Sequence, residues 1–145
     1  MENFKILGQA ISNGTAQVEL YAVPVTSASS AGSSVTFTRS YDPPTQTLIT
    51  SIIVCNQKAS DHKFNLSLFD SASGETGGTP AAKNFLLRKV SLAASETKVL
   101  SLGLTMSARS NSATPASVAK GDILQFSLED TGADVSVTAM GIEIT

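Results

Sequence analysis

Leu124-Gln125-Phe126-Ser127-Leu128 places an apolar side chain at every second position, and Phe64-Asn65-Leu66-Ser67-Leu68 repeats the pattern sixty residues earlier. Successive side chains of an extended strand point to opposite faces, so this spacing turns one face toward a core and the other toward water. Shorter copies occur at Val18-Glu19-Leu20 and Leu100-Ser101-Leu102, and Ile49-Thr50-Ser51-Ile52 sets two polar residues between apolar ones. About a quarter of the residues are Ser or Thr, a composition that favours strands and turns over helices. The chain reads as all-β.

Working outward from these cores, strands are predicted near residues 3–11, 15–23, 46–56, 62–70, 83–91, 96–105, 121–129 and 134–144. Turn formers separate them: Ser73-Gly74-Glu75-Thr76-Gly77-Gly78-Thr79-Pro80, Ala93-Ala94-Ser95-Glu96, Lys120-Gly121-Asp122 and Asp130-Thr131-Gly132. Asn13-Gly14 lies between the first two strands and is the dipeptide preferred in tight hairpins, so those strands are expected to pair with each other. Eight short strands at this spacing suit a single antiparallel β-sandwich over residues 1–145, of jelly-roll or immunoglobulin-like type. Two stretches break the rhythm. Residues 24–45, with a possible short strand at Val35 to Thr38, and residues 106–119 are rich in small residues and are expected to be surface loops.

Composition narrows the function. A chain of 145 residues with 41% hydrophobic content can bury a core of its own. A formal net charge of -2 supplies no basic field for a nucleic-acid backbone, so nucleic acid is not an expected partner. Cys55 is the single cysteine, which excludes an intrachain disulfide and a four-thiolate zinc site, and the run Ile52-Ile53-Val54-Cys55 predicts that it behaves as a small buried hydrophobe. No run of about 18 apolar residues and no signal-peptide pattern occurs, so synthesis in a cytosol and no membrane partner are expected.

Three patterns invite a chemical reading. Asp130-Thr131-Gly132-Ala133-Asp134 resembles the active-site loop of retroviral-type aspartic proteases, in which two carboxylates share a proton. Too little chain follows to build a substrate cleft, and Glu129 stands where that family has an apolar residue, so a hairpin turn between the last two strands is the expectation. His62, in Ser60-Asp61-His62-Lys63, is expected in a solvated turn. Asp42, Asp61, Asp70, Asp122, Asp130 and Asp134 lack the spacing of a calcium loop and read as turn formers. Asn13-Gly14-Thr15 and Asn65-Leu66-Ser67 match the glycosylation sequon without a secretion signal to give it effect. No catalytic, cofactor-binding or metal-ligating residue is therefore assigned, no cofactor is expected, and the chain is not expected to be an enzyme.

Several segments together resemble a family of small tailed-bacteriophage virion proteins, β-sandwich components common in phages of cyanobacteria and other bacteria. The likeness runs through Leu20-Tyr21-Ala22-Val23-Pro24, Ser51 to Asn56, Thr79 to Leu86, Leu100 to Thr105, Lys120 to Leu124 and Ser136 to Glu143. This chain departs from the pattern after Pro24 and after Leu104, where the family has short turns. The resemblance implies a virion structural protein, foremost a capsid decoration (cement) protein that binds the major capsid protein or other virion proteins and stabilises the head. It also implies a homo-oligomer, for which lattice symmetry suggests a closed trimer. A neck, tail or fibre accessory protein is the alternative, as is a host-surface glycan-binding module. The absence of Trp and the presence of only Tyr21 and Tyr41 weigh against sugar stacking.

Overall fold

The computed structural model describes residues 3–24, 46–107 and 120–144. Its strands are β1 (Asn3–Ser12), β2 (Val18–Pro24), β3 (Gln46–Asn56), β4 (His62–Phe69), β5 (Phe85–Leu92), β6 (Thr97–Ser107), β7 (Lys120–Leu128) and β8 (Val135–Ile144). Each lies within a few residues of its predicted position. The suggested strand at Val35 to Thr38 and most of the two irregular stretches fall outside the described residues.

The strands form two four-stranded antiparallel sheets, a front sheet of order β1-β8-β3-β6 and a back sheet of order β2-β7-β4-β5. The pairings β1 with β8, β2 with β7, β3 with β6 and β4 with β5 are those of one long hairpin rolled into a sandwich, the jelly-roll topology. This decides between the two sandwich types left open above. Only β4 and β5 are consecutive neighbours within a sheet, and every other connection crosses from one sheet to the other.

Two expected hairpins are corrected by this arrangement. β1 and β2 lie in different sheets, and Gly14 does not adopt the positive φ that a tight Asn-Gly hairpin turn requires. β7 and β8 are likewise split, so Asp130-Thr131-Gly132 is a crossing between sheets, with Gly132 at φ +82°. The two crossings brace each other: Leu128 N donates to Gly14 O at 3.2 Å, and Gly132 N donates to Asn13 O at 3.2 Å.

The inward faces follow the period-two patterning. Phe64, Leu66, Leu124, Phe126 and Leu128 from the back sheet meet Ile49, Ile52, Val54, Val135 and Val137 from the front, all buried. Where a polar side chain turns inward it is bonded across the sandwich. The Tyr21 hydroxyl donates to Glu143 Oε1 at 2.8 Å and, because a carboxylate only accepts, takes its second bond from Thr47 Oγ1 at 2.9 Å. Buried Asp122 accepts from Ser71 N and Ser71 Oγ, both at 2.9 Å, and from Ser107 N at 2.8 Å, joining β7 to the end of β6.

The outer side of the back sheet is roofed by residues 70–84. With its amide turned so that the nitrogen faces Gly78 O at 2.9 Å and the oxygen faces Gly78 N at 3.2 Å, Gln125 holds Gly78 against the sheet, and Asn84 Nδ2 donates to Leu68 O at 3.0 Å. Gln125, an outward polar residue of β7, is buried beneath the roof, and the outward Asn65, Ser67 and Ser127 are buried as well. This roof is held by charge. Glu75 pairs with Lys83 and accepts from Asp70 N and Asn84 Nδ2, while Asp70 caps a 3-10 turn by accepting from Ser73 Oγ and Ala72 N.

The hydrogen bond from Ser73 holds the Asp70 carboxyl below its ordinary pKa of 3.8, and Lys83 does the same for Glu75 relative to 4.5. Carboxylates whose pKa is depressed on folding contribute stability that is complete above the ordinary value and is lost as pH falls through the folded one. The roof is therefore expected to loosen as pH drops below about 4, before the sandwich itself unfolds. Hydrogen exchange of the residue 70–84 amides, corrected for the intrinsic pH effect, checks this. A roof whose protection does not change down to the acid-unfolding pH would contradict it, and Glu75→Gln should remove much of the pH dependence.

Candidate functional site

Two places merit a chemical account: a cleft at one end of the sandwich, and the outer face of the front sheet. The cleft, about 500 Å³, lies where the turns after β3, β5 and β7 converge and is lined by Asp61, His62, Ser91, Glu96, Lys98, Glu129 and Asp130 among others. Buried Asn56 organises this end. Its Nδ2 donates to Ser60 O at 2.7 Å and Ala93 O at 3.0 Å, and its Oδ1 accepts from Lys58 N at 3.0 Å.

His62 does not sit in a solvated turn, as its polar neighbours suggested. It is buried at the start of β4, on the core-facing side shared with Phe64 and Leu66. Its Nδ1 lies 2.8 Å from Asp130 Oδ2 and its Nε2 lies 3.0 Å from Ser60 Oγ. The carboxylate can only accept, so Nδ1 carries a proton, while Nε2 and the Ser60 hydroxyl share the second hydrogen bond. The adjacent Asp61 is not the partner; its Oδ1 accepts from Ala94 N at 2.9 Å. Nothing local in the sequence marks Asp130, 68 positions away, as the residue that orients this ring.

Serine, imidazole and carboxylate thus stand in the order of an acyl-transfer relay. The surroundings oppose that chemistry. A tetrahedral intermediate needs N–H donors aimed at its oxyanion, whereas the nearby amides already donate inside the protein: Ala93 N to Glu96 Oε2, Ala94 N to Asp61 Oδ1 and Glu129 N to Lys63 O. The carboxylates of Asp61, Glu96, Glu129 and Asp130 line the same cleft and would repel developing negative charge. Asp130, the first aspartate of the protease-like loop, is engaged by His62. The constellation fastens β4 to the crossing between β7 and β8.

The other singled-out residues have structural partners. Asp134 pairs with Lys58 at 2.8 Å, and Asp70 and Asp122 are bonded as described above; Asp42 lies outside the described residues. Among the described residues no group of three or more His, Cys, Asp or Glu is placed to hold a metal ion, and no helix is long and apolar enough to cross a membrane. Asn65 of the second sequon is buried, donates to Glu129 Oε1 at 2.8 Å, and accepts from Lys89 N at 2.9 Å where β5 bulges. Tyr21 is buried with its hydroxyl bonded, so its ring is not open to a sugar, and Tyr41 lies outside the described residues.

The second place is the outer face of the front sheet, and its register can be read across all four strands. One row runs Phe4, Ile142, Leu48, Thr105; another runs Gln9, Thr138, Ile53, Val99. Ile6 stands beside Met140, and Ile11 shares a row with Ser136 and Cys55. Cys55 is therefore part of this surface and half-buried, a correction to the expectation that it lies in the core. Phe4, Ile6, Ile11 and Val99 are each more than half exposed.

No charged side chain points outward here. The four strands contain only Lys5, Lys98 and Glu143, and all three turn to the opposite side. Lys5 alternates with Phe4 and Ile6 and pairs with Glu143, which is bonded to Tyr21 of the back sheet. Lys98 Nζ donates to Ser91 O of β5 at 3.1 Å. This face therefore combines exposed large apolar side chains with uncharged polar ones such as Gln9, Thr138 and Thr105. Periodicity alone could have flagged Ile53 and Leu48 as outward apolar residues, but not the breadth of the face, which depends on which strands are neighbours.

No family model, no curated protein and no solved structure matches this chain.

Proposed function

We propose that this protein is a structural component of a bacteriophage virion, foremost a capsid decoration protein that binds the assembled head and stabilises it. The observation that supports this reading most is the charge-free outer face of the front sheet, with Phe4, Ile6, Ile11 and Val99 exposed, which offers contact area to another polypeptide of an assembly, a second copy of this chain included. The end cleft fits this reading, because the Ala93, Ala94 and Glu129 amides beside its serine, histidine and carboxylate already donate within the protein. A protein that works by adhesion in a repeating shell gains from many simultaneous weak contacts, since after the first the rest form at high effective concentration. The jelly-roll topology is compatible with this role but hosts many others, so the reading rests on the surface and on the resemblance to small tailed-phage virion proteins.

The test is localisation on purified particles. Immunogold labelling with an antibody against the full chain is expected to decorate heads at many sites, and particles lacking the protein are expected to release their genome at a lower temperature. Label confined to the neck, tail or fibres would move the protein to an accessory role there. Its absence from purified particles would refute the virion reading.

A further inference from the structure

We infer that the uncharged outer face of the front sheet is covered by the same face of a second copy of this chain. The inference builds on the reading of that face as a protein-contact surface and names its occupant.

Charge matching supplies the first argument. A partner carrying Lys, Arg, Asp or Glu against this face would bury those charges with no counter-charge, at a cost of several kcal/mol per ion. The occupant must itself be broad, flat and free of charge. The described surface that meets this requirement is the face itself: the back sheet is roofed by residues 70–84, and the turns of the cleft end carry Lys58, Asp61, Glu96, Asp130 and Asp134.

Size supplies the second. Four strands of about ten residues span roughly 19 by 33 Å at ordinary strand spacing and rise, or on the order of 600 Å². Two such faces together bury about 1,200 Å², the lower bound of stable, specific interfaces. A smaller partner would leave Phe4 and Val99, which stand on opposite edge strands, partly uncovered.

Geometry supplies the third. Two equally twisted sheets pack face to face with their strands about 30° apart, as the two sheets within a sandwich do. A two-fold axis through the face makes the contact self-complementary and closed, so association stops at two copies without growing into filaments. A flat face buried against its twin has no room for a third copy, which replaces the trimer expected from lattice symmetry.

Cys55 lies on this face and is the chain's single cysteine, which provides the readout. The purified full chain is followed by light scattering and by the rate of Cys55 alkylation with a bulky maleimide, from micromolar to millimolar concentration. The expected result is a mass rising to twice 15.0 kDa, with alkylation slowing at least tenfold as dimer forms. Val99→Glu, a change at an exposed position, is expected to keep the strand-rich circular dichroism and remain monomeric, with an alkylation rate independent of concentration.

A wild-type chain that stays monomeric at millimolar concentration overturns the inference, as does an oligomer of any size in which Cys55 alkylation is not slowed. The virion reading is tested separately. A monomer in solution that still labels particles would refute the second-copy occupant alone, and a dimer absent from particles would refute the virion role alone.

Discussion

Phe126→Ala is expected to destabilise the fold by about 3–5 kcal/mol. Phe126 is fully buried at the centre of β7, and its ring stacks on that of Phe64 at 5.5 Å between centroids, with 20° between planes. Truncation removes the transfer free energy of the ring, its contact with Phe64, and the atoms that fill the space between the two sheets. The space cannot close easily, because β7 is hydrogen-bonded to β2 on one side and β4 on the other, which holds it at a set distance from the front sheet. Small domains retain only about 5–15 kcal/mol in total, so the loss should lower the melting temperature by roughly 10–20 °C. Phe4→Ala is the control: its side chain stands in solvent in the single chain and should change monomer stability by less than about 0.5 kcal/mol. A Phe126→Ala variant as stable as Phe4→Ala would mean that the period-two residues do not form the core.

The second large effect is expected from a single added methyl group. Gly141→Ala should cost about 3 kcal/mol or more, in excess of ordinary overpacking, because the new Cβ would lie 2.0 Å from the carbonyl oxygen of Leu48 and 2.9 Å from Leu7 Cδ1. The Leu7 side chain can rotate away; the Leu48 carbonyl belongs to the neighbouring strand β3 and cannot move without spreading the ladder. Gly141 lies in β8 between β1 and β3, and the β3–β8 ladder shifts register beside it, between Ile49 and Ser51. Gly103→Ala in edge strand β6 meets nothing within 4 Å and should be neutral or slightly stabilising, since an alanine loses less backbone freedom on folding. Equilibrium denaturation of the two variants side by side gives the comparison. Equal stability would show that Gly141 is not a point of close strand approach.

Much of the fold was legible because alternation of apolar residues is a local property. Leu124-Gln125-Phe126-Ser127-Leu128 marks a strand and also names its inward face, and Phe126 and Leu124 are indeed buried. The candidate site was far less legible. His62 has polar neighbours on both sides, which suggests solvent, yet it is buried because its ring points inward with Phe64 and is oriented by Asp130 from a distant crossing. Asn13-Gly14 carries a strong local hairpin signal, and the pairing went elsewhere because β1 is hydrogen-bonded to β8 along nearly its whole length, outweighing any preference of one dipeptide.

By itself the sequence determined the positions of the eight strands, the inward faces of β4 from Phe64 to Leu68 and of β7 from Leu124 to Leu128, and the absence of a net basic charge or clustered thiols. These follow from the two-residue repeat of an extended backbone and from composition. Tertiary structure alone decided which strands are neighbours, and with that the jelly-roll order, the brace of Ser60, His62 and Asp130, and the union of Phe4, Ile6, Ile53 and Val99 into one uncharged face. The physical reason is that strand partners are chosen by long-range burial and backbone hydrogen bonding, and no residue's nearest neighbours in sequence record that choice.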